Sequence, residues 1–105
     1  MNKGFLIGNV VKTPELRTTA SGKSVTTLRV ATDKGANDSI FLDFTFFDKL
    51  AETLCQYIEK GRQIHIEYRL DTYKGPEDKF SRIDLVGSDF TFLGKKKETD
   101  EKQVD

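Results

Sequence analysis

Between Ile40 and Phe47 the chain reads IFLDFTFF. Side chains alternate along an extended segment, so Phe41, Asp43, Thr45 and Phe47 fall on one face and Leu42, Phe44 and Phe46 on the other. Both faces carry aromatic rings. A strand that buries one face needs only one apolar set, so the rings interleaved with Asp43 and Thr45 ask for a second explanation. One is burial under a helix or a neighbouring subunit. The other is a stacking platform for planar ligands, of which nucleobases are the commonest. At Asp48 the period changes. Leu50, Ala51, Leu54, Cys55 and Ile58 recur at three and four residues while Lys49, Glu52, Gln56, Glu59 and Lys60 take the other side, which predicts an amphipathic helix of about three turns. Asp48 is expected to cap it, Lys60 to sit in its last turn, and Gly61 to end it in the left-handed conformation.

The same reading extends along the chain. Gly4 to Val11 is a strand interrupted by Gly8, where a bulge or bend is expected. A short strand-like piece follows around Leu16 to Thr19. Ser24 to Thr32 is a second long strand with Val25, Leu28 and Val30 as core candidates; Val25 is out of phase with the others, which predicts a bulge near Thr26 or Thr27. The polar run Asp33 to Ser39 connects it to the aromatic strand as a hairpin. After the helix, Ile64, Ile66, Tyr68 and Leu70 alternate with His65, Glu67, Arg69, Asp71 and Tyr73. Gly75 and Pro76 turn the chain into a last strand, Phe80 to Leu93, with Ile83, Leu85 and Phe90 to Leu93 as apolar contacts and a bulge at Gly87. Three strands, a short helix and two strands match an all-β, five-stranded barrel of the oligonucleotide/oligosaccharide-binding kind (OB-fold), with its helix between the third and fourth strands. This domain is expected over residues 1–94. Residues 95–105, KKKETDEKQVD from Lys95, hold one apolar residue and predict a disordered, nearly self-neutral tail.

Composition changes the picture in two places. With 17 basic and 17 acidic residues among 105, the net charge is zero, so no basic excess advertises a nucleic-acid partner and any phosphate contact must come from a local stripe. The single cysteine, Cys55, excludes an internal disulfide and suits a reducing compartment. No signal peptide or membrane-spanning stretch is apparent, and a cytoplasmic location is expected.

Several strings together carry a family resemblance. MNKGFLIGNVVKTPELRTTASGKSV, LRVAT, FFDKLAETLCQYIEKG and IHIEYRLDT resemble, in order and spacing, the bacterial single-stranded DNA-binding protein family over about Met1 to Leu93. The resemblance implies sequence-tolerant binding of single-stranded DNA during replication, recombination or repair, and a homo-oligomer, either a tetramer or a dimer. By FFDKLAE, Phe47 matches the family's phenylalanine before the helix, and Phe41 matches its central-strand tryptophan. Ala36 and Gly75 stand where the family places further tryptophans. Tyr73 is a substitute for the second of these, and Phe80 matches an aromatic across the following hairpin. Asp43 stands where relatives often place a basic residue. The family's acidic Pro-Phe tip is missing, so recruitment of proteins through the tail is not expected, and a phage, plasmid or mobile-element version, or a truncated chain, is.

Beside the platform, Lys12, Arg17, Lys34, Lys49, Arg69, Lys74 and Lys79 are the candidate phosphate contacts, because they flank it on strands or neighbouring loops. A plain solvated surface is their alternative role. An enzyme is not expected: His65 is the sole histidine, and no metal-ligand spacing, phosphate-cradling glycine loop or activated nucleophile is present, so neither metal nor cofactor is predicted. Scattered carboxylates such as Asp43 and Asp71 give a magnesium-dependent nuclease little support. An OB-fold adaptor for protein partners, touching DNA only secondarily, is the competing reading.

Overall fold

The computed structural model describes residues 1–73 and 82–94. Strands form where the alternation predicts them: β1 (Gly4–Val10), β2 (Arg17–Thr18), β3 (Ser24–Gly35) and β4 (Asp38–Phe47) precede the helix α1 (Asp48–Tyr57), and β5 (Gln63–Tyr73) and β6 (Arg82–Leu93) follow it. β2 only lengthens the edge of β3, through Arg17 opposite Val25 and Thr18 opposite Ser24. The five longer strands close on themselves. β1 runs antiparallel to β5 over Gly4 to Asn9, β5 to β6, and β4 to β3, while β6 meets β4 in parallel at Val86 and Thr45. The ring shuts where Asn9 and Val10 of β1 pair with Ala31 and Val30 of β3. The result is the expected five-stranded barrel, with its helix between the third and fourth long strands.

The interior is filled by the inward members of each alternation. Leu28, Val30, Phe44, Phe46, Ile64 and Ile66 are fully buried, and α1 adds Ala51 and Leu54. Phe46 meets Phe90 edge-on with centroids 5.9 Å apart, and Phe44 tilts against Tyr68 at 5.3 Å. Burying one such ring stabilises the fold by ~1.5–3 kcal/mol. Two glycines make room for this packing. A Cβ at Gly87 would run into the Phe46 ring, and one at Gly8 would strike Val30 and the Ala31 carbonyl where β1 crosses to β3.

Several local expectations are corrected. Gly8 carries no bulge, since its pairing with β5 is continuous; it permits close approach instead. Nor is there a bulge at Thr26 or Thr27: the β3–β4 register runs unbroken from Val25 to Asp33 and shifts only between Asp33 and Gly35. Thr26, not Val25, takes the core position, its hydroxyl donating to the Glu15 carbonyl at 2.8 Å. The polar run is mostly strand, because β3 and β4 continue past the barrel to a turn at Ala36 and Asn37, the latter with φ 62°. Asp48 does not cap the helix through its side chain; with φ 58° it is the residue that swings the chain from strand to helix, a conformation aspartate tolerates better than most. The helix ends at Tyr57 because Ile58 turns extended and sinks into the core, so Lys60 lies outside it. Gly61 does take a positive φ, but in the turn into β5, where its N–H donates to the Val10 carbonyl. Ser88 is the bulged residue of β6, beside Gly87 as expected. Ile83 is exposed and not an apolar contact. The first residues of the expected last strand and the tail 95–105 lie outside the described residues.

Candidate nucleic-acid interface

β4 keeps the two-faced pattern of its sequence. Phe44 and Phe46 are buried, whereas Phe41 is 51% exposed on the outer face with Asp43. The antiparallel register then decides what stands beside them. Ala31 lies opposite Phe41, Arg29 opposite Asp43 and Thr27 opposite Thr45. The Arg29 guanidinium sits over the Phe41 ring, 5.6 Å from its centroid, and reaches Asp43 Oδ2 at 3.5 Å. Arg17, held on β2, donates to Thr27 Oγ1 at 3.2 Å. Arg17, Thr27, Arg29 and Asp43, together with Lys12 and Pro14, line a cleft of about 280 Å³ between the segment before β2 and the outer face of the β3–β4 hairpin, and Arg29 links that cleft to the Phe41 ring. Its near wall is anchored from below by the Thr26 hydroxyl on the Glu15 carbonyl. Among the described residues the cleft holds three cations, Lys12, Arg17 and Arg29, against the carboxylates of Glu15 and Asp43. A local positive excess thus exists on a chain of zero net charge, though a small one.

The other candidates are spread around this centre. Phe47 is exposed at the far end of β4, opposite Val25, and Lys49 is exposed in the first turn of α1. Lys34 is exposed near the hairpin tip. None of the three lines the cleft. Arg69 is exposed on β5 opposite Val86, which itself pairs with Thr45, so it belongs to the sheet beyond the aromatic strand. There Thr45 Oγ1 donates to Asp84 Oδ1 at 3.2 Å. Tyr73 ends β5, its backbone opposite Arg82. Lys74, Lys79 and Phe80 lie outside the described residues. Sequence reasoning missed Arg29 and Thr27. Their signal lies in the outward half of the β3 alternation, where LRV points Arg29 away from the core and hairpin pairing sets it against Asp43.

A second exposed surface lies on β1. Phe5 is 60% and Ile7 49% exposed, and the Phe5 ring stacks on His65 with centroids 5.8 Å apart. Lys3 pairs with Glu67 at 3.3 Å alongside. From Gly4 to Gly8, β1 is paired with β5 on one side, and pairing with β3 begins only at Asn9. Among the described residues, no cluster of three or more His, Cys, Asp or Glu is placed to hold a metal ion, and no helix is long and apolar enough to cross a membrane.

Known proteins resemble this chain in sequence and in fold. The model of the Single-strand binding protein family matches residues 1–93. The chain is 37% identical over 108 positions to Single-stranded DNA-binding protein 1 of Chlorobaculum tepidum, covering 91% of this chain and 67% of that protein. It is 30% identical over 114 positions to Single-stranded DNA-binding protein 1 of Staphylococcus aureus, covering 100% and 72% respectively. The crystal structure of the wild-type single-stranded DNA binding protein from Thermus aquaticus shares the fold with a TM-score of 0.75 at 24% identity, over 90% of this chain and 50% of that one.

Proposed function

Because the chain belongs to the single-strand binding protein family, we propose that it binds single-stranded DNA with little sequence preference, stacking a base on Phe41 and holding the backbone with the cations of the adjoining cleft. The observation that carries this reading is the exposed Phe41 ring under Arg29, a residue that also lines the cleft holding Lys12 and Arg17. A base stacked on an aromatic contributes ~1–3 kcal/mol, and every base has a face to stack, so such a site is tolerant of sequence. Stacking also compensates for the small local excess of positive charge. Phe47, Tyr73 and Phe80 extend the aromatic track, with Lys34, Lys49, Arg69, Lys74 and Lys79 as its flanking phosphate contacts. Residues 1–94 form the binding domain, and residues 95–105 add nothing to it. The activity serves DNA replication, recombination or repair in the cytoplasm and includes no catalytic step.

Among the described residues, β1 from Gly4 to Gly8 is paired with another strand on one side only, and its exposed Phe5 and Ile7 support a homo-oligomer, since an open apolar strand is otherwise an aggregation liability. Binding is tested by titrating oligo-dT at low salt and following tyrosine fluorescence, the chain having three tyrosines and no tryptophan. Saturable quenching, with single strands preferred over duplex of equal length, is the expected result; equal affinity for both overturns the reading.

A further inference from the structure

Arg29 stands at the centre of the outer face, already engaged by its own chain. Its guanidinium covers the Phe41 ring at 5.6 Å and lies 3.5 Å from Asp43 Oδ2. The register sets Arg29 and Asp43 directly opposite each other, so the carboxylate stays within reach of the guanidinium whichever way the arginine side chain turns. Their side chains are 52% and 53% exposed, and ion pairs and cation–π contacts in water are weak enough to be exchanged for a ligand. The two groups engaged are those a single strand requires: a ring face for a base and a guanidinium for a phosphate.

Building on the single-stranded DNA reading above, we propose that Arg29 and Asp43 make this a self-occupied site in which Asp43 sets the affinity. In the free protein Arg29 covers the ring. On binding, a base takes the ring and a phosphate takes the guanidinium. Asp43 stays where β4 fixes it, as a resident anion competing with that phosphate for Arg29. The phosphate lies well within a Debye length of the carboxylate, about 10 Å at 0.1 M salt, so the repulsion is only partly screened. Arg29 is thereby a contact held in reserve, and Asp43 a positioning residue that attenuates binding without touching the DNA.

The test is a double-mutant cycle read by oligo-dT titration at several salt concentrations, using the wild type, Asp43→Asn, Arg29→Gln and the double variant. Both side chains are exposed, and unchanged thermal melting verifies that each variant is folded. Asp43→Asn is expected to tighten binding at low salt by about two- to fivefold, the size of an exposed ion-pair interaction. It is also expected to steepen the log-affinity against log-salt slope, by up to ~0.7 for one phosphate more fully neutralised. Both gains should vanish in the double variant. In parallel, the side-chain Nε–H resonance of Arg29, shifted by the Phe41 ring in the free protein, should move when oligo-dT is added. Unchanged affinity and slope in Asp43→Asn, or a gain that persists without Arg29, overturns the proposal while leaving the DNA-binding reading intact. A wild type that does not bind oligo-dT overturns both.

Discussion

Phe41 and Phe47 share a face of β4, yet among the described residues Phe41 has a cation over its ring, the cleft-lining Arg29, and Phe47 has none. Stacking releases no counterions, whereas a phosphate contact does, so the two kinds of residue separate experimentally. Phe41→Ala is expected to cost ~1–3 kcal/mol of affinity for oligo-dT with the salt slope nearly unchanged. Lys12→Ala is expected to cost less and to reduce the magnitude of that slope by ~0.7, as titrations across a salt series will read. Loss of folding in Phe41→Ala with unaltered affinity per folded molecule would make Phe41 a packing residue. The outward rings were legible from alternation alone, because a period of two fixes which side chains leave the core. Arg29 needs more than alternation, since its role depends on a cross-strand partner and the register comes from the hairpin rather than from either strand.

At the scale of elements, β3 shows why polarity misleads. Hydropathy favours Val25 over Thr26 for the core because a buried hydroxyl is costly, but the Glu15 carbonyl accepts from Thr26 and removes that cost. Thr26→Val is therefore expected to destabilise the fold by ~1 kcal/mol in urea denaturation despite conserving shape. It should also weaken oligo-dT binding, because the same bond anchors the wall of the cleft. The polar run Asp33 to Ser39 misled for a related reason. Past the barrel there is no core to demand apolar side chains, so β3 and β4 continue as a ladder that hydropathy alone cannot tell from a loop. The glycines were legible as special positions, though their reason was not: Gly87→Ala would press a methyl group into the Phe46 ring, with an expected loss of ~1–3 kcal/mol measurable by thermal melting.

For the whole molecule, the order of elements was enough to indicate a closed barrel, while its surfaces emerge only once the strands are in register. If β1 joins copies of the chain, light scattering at micromolar protein will give a multiple of the 11.9 kDa chain mass, and Ile7→Lys, which sets a charge on that exposed strand, will return it to the monomer. A wild-type mass of one chain would refute that assembly. The barrel is also a hoop welded unevenly. Between β4 and β6 the described residues give one parallel pair, Thr45 with Val86, reinforced by the Thr45 to Asp84 hydrogen bond. The other joints are antiparallel ladders of two or more pairs. Strain on the hoop is relieved at its thinnest weld, so this joint should part before the ladders melt, and amide exchange along it should outpace that of the β3–β4 ladder. A nucleic-acid strand running from Phe41 past Thr45 toward Arg69 would cross that joint as a splint crosses a fracture, making the bound protein mechanically a closed ring and the free one a ring with a catch.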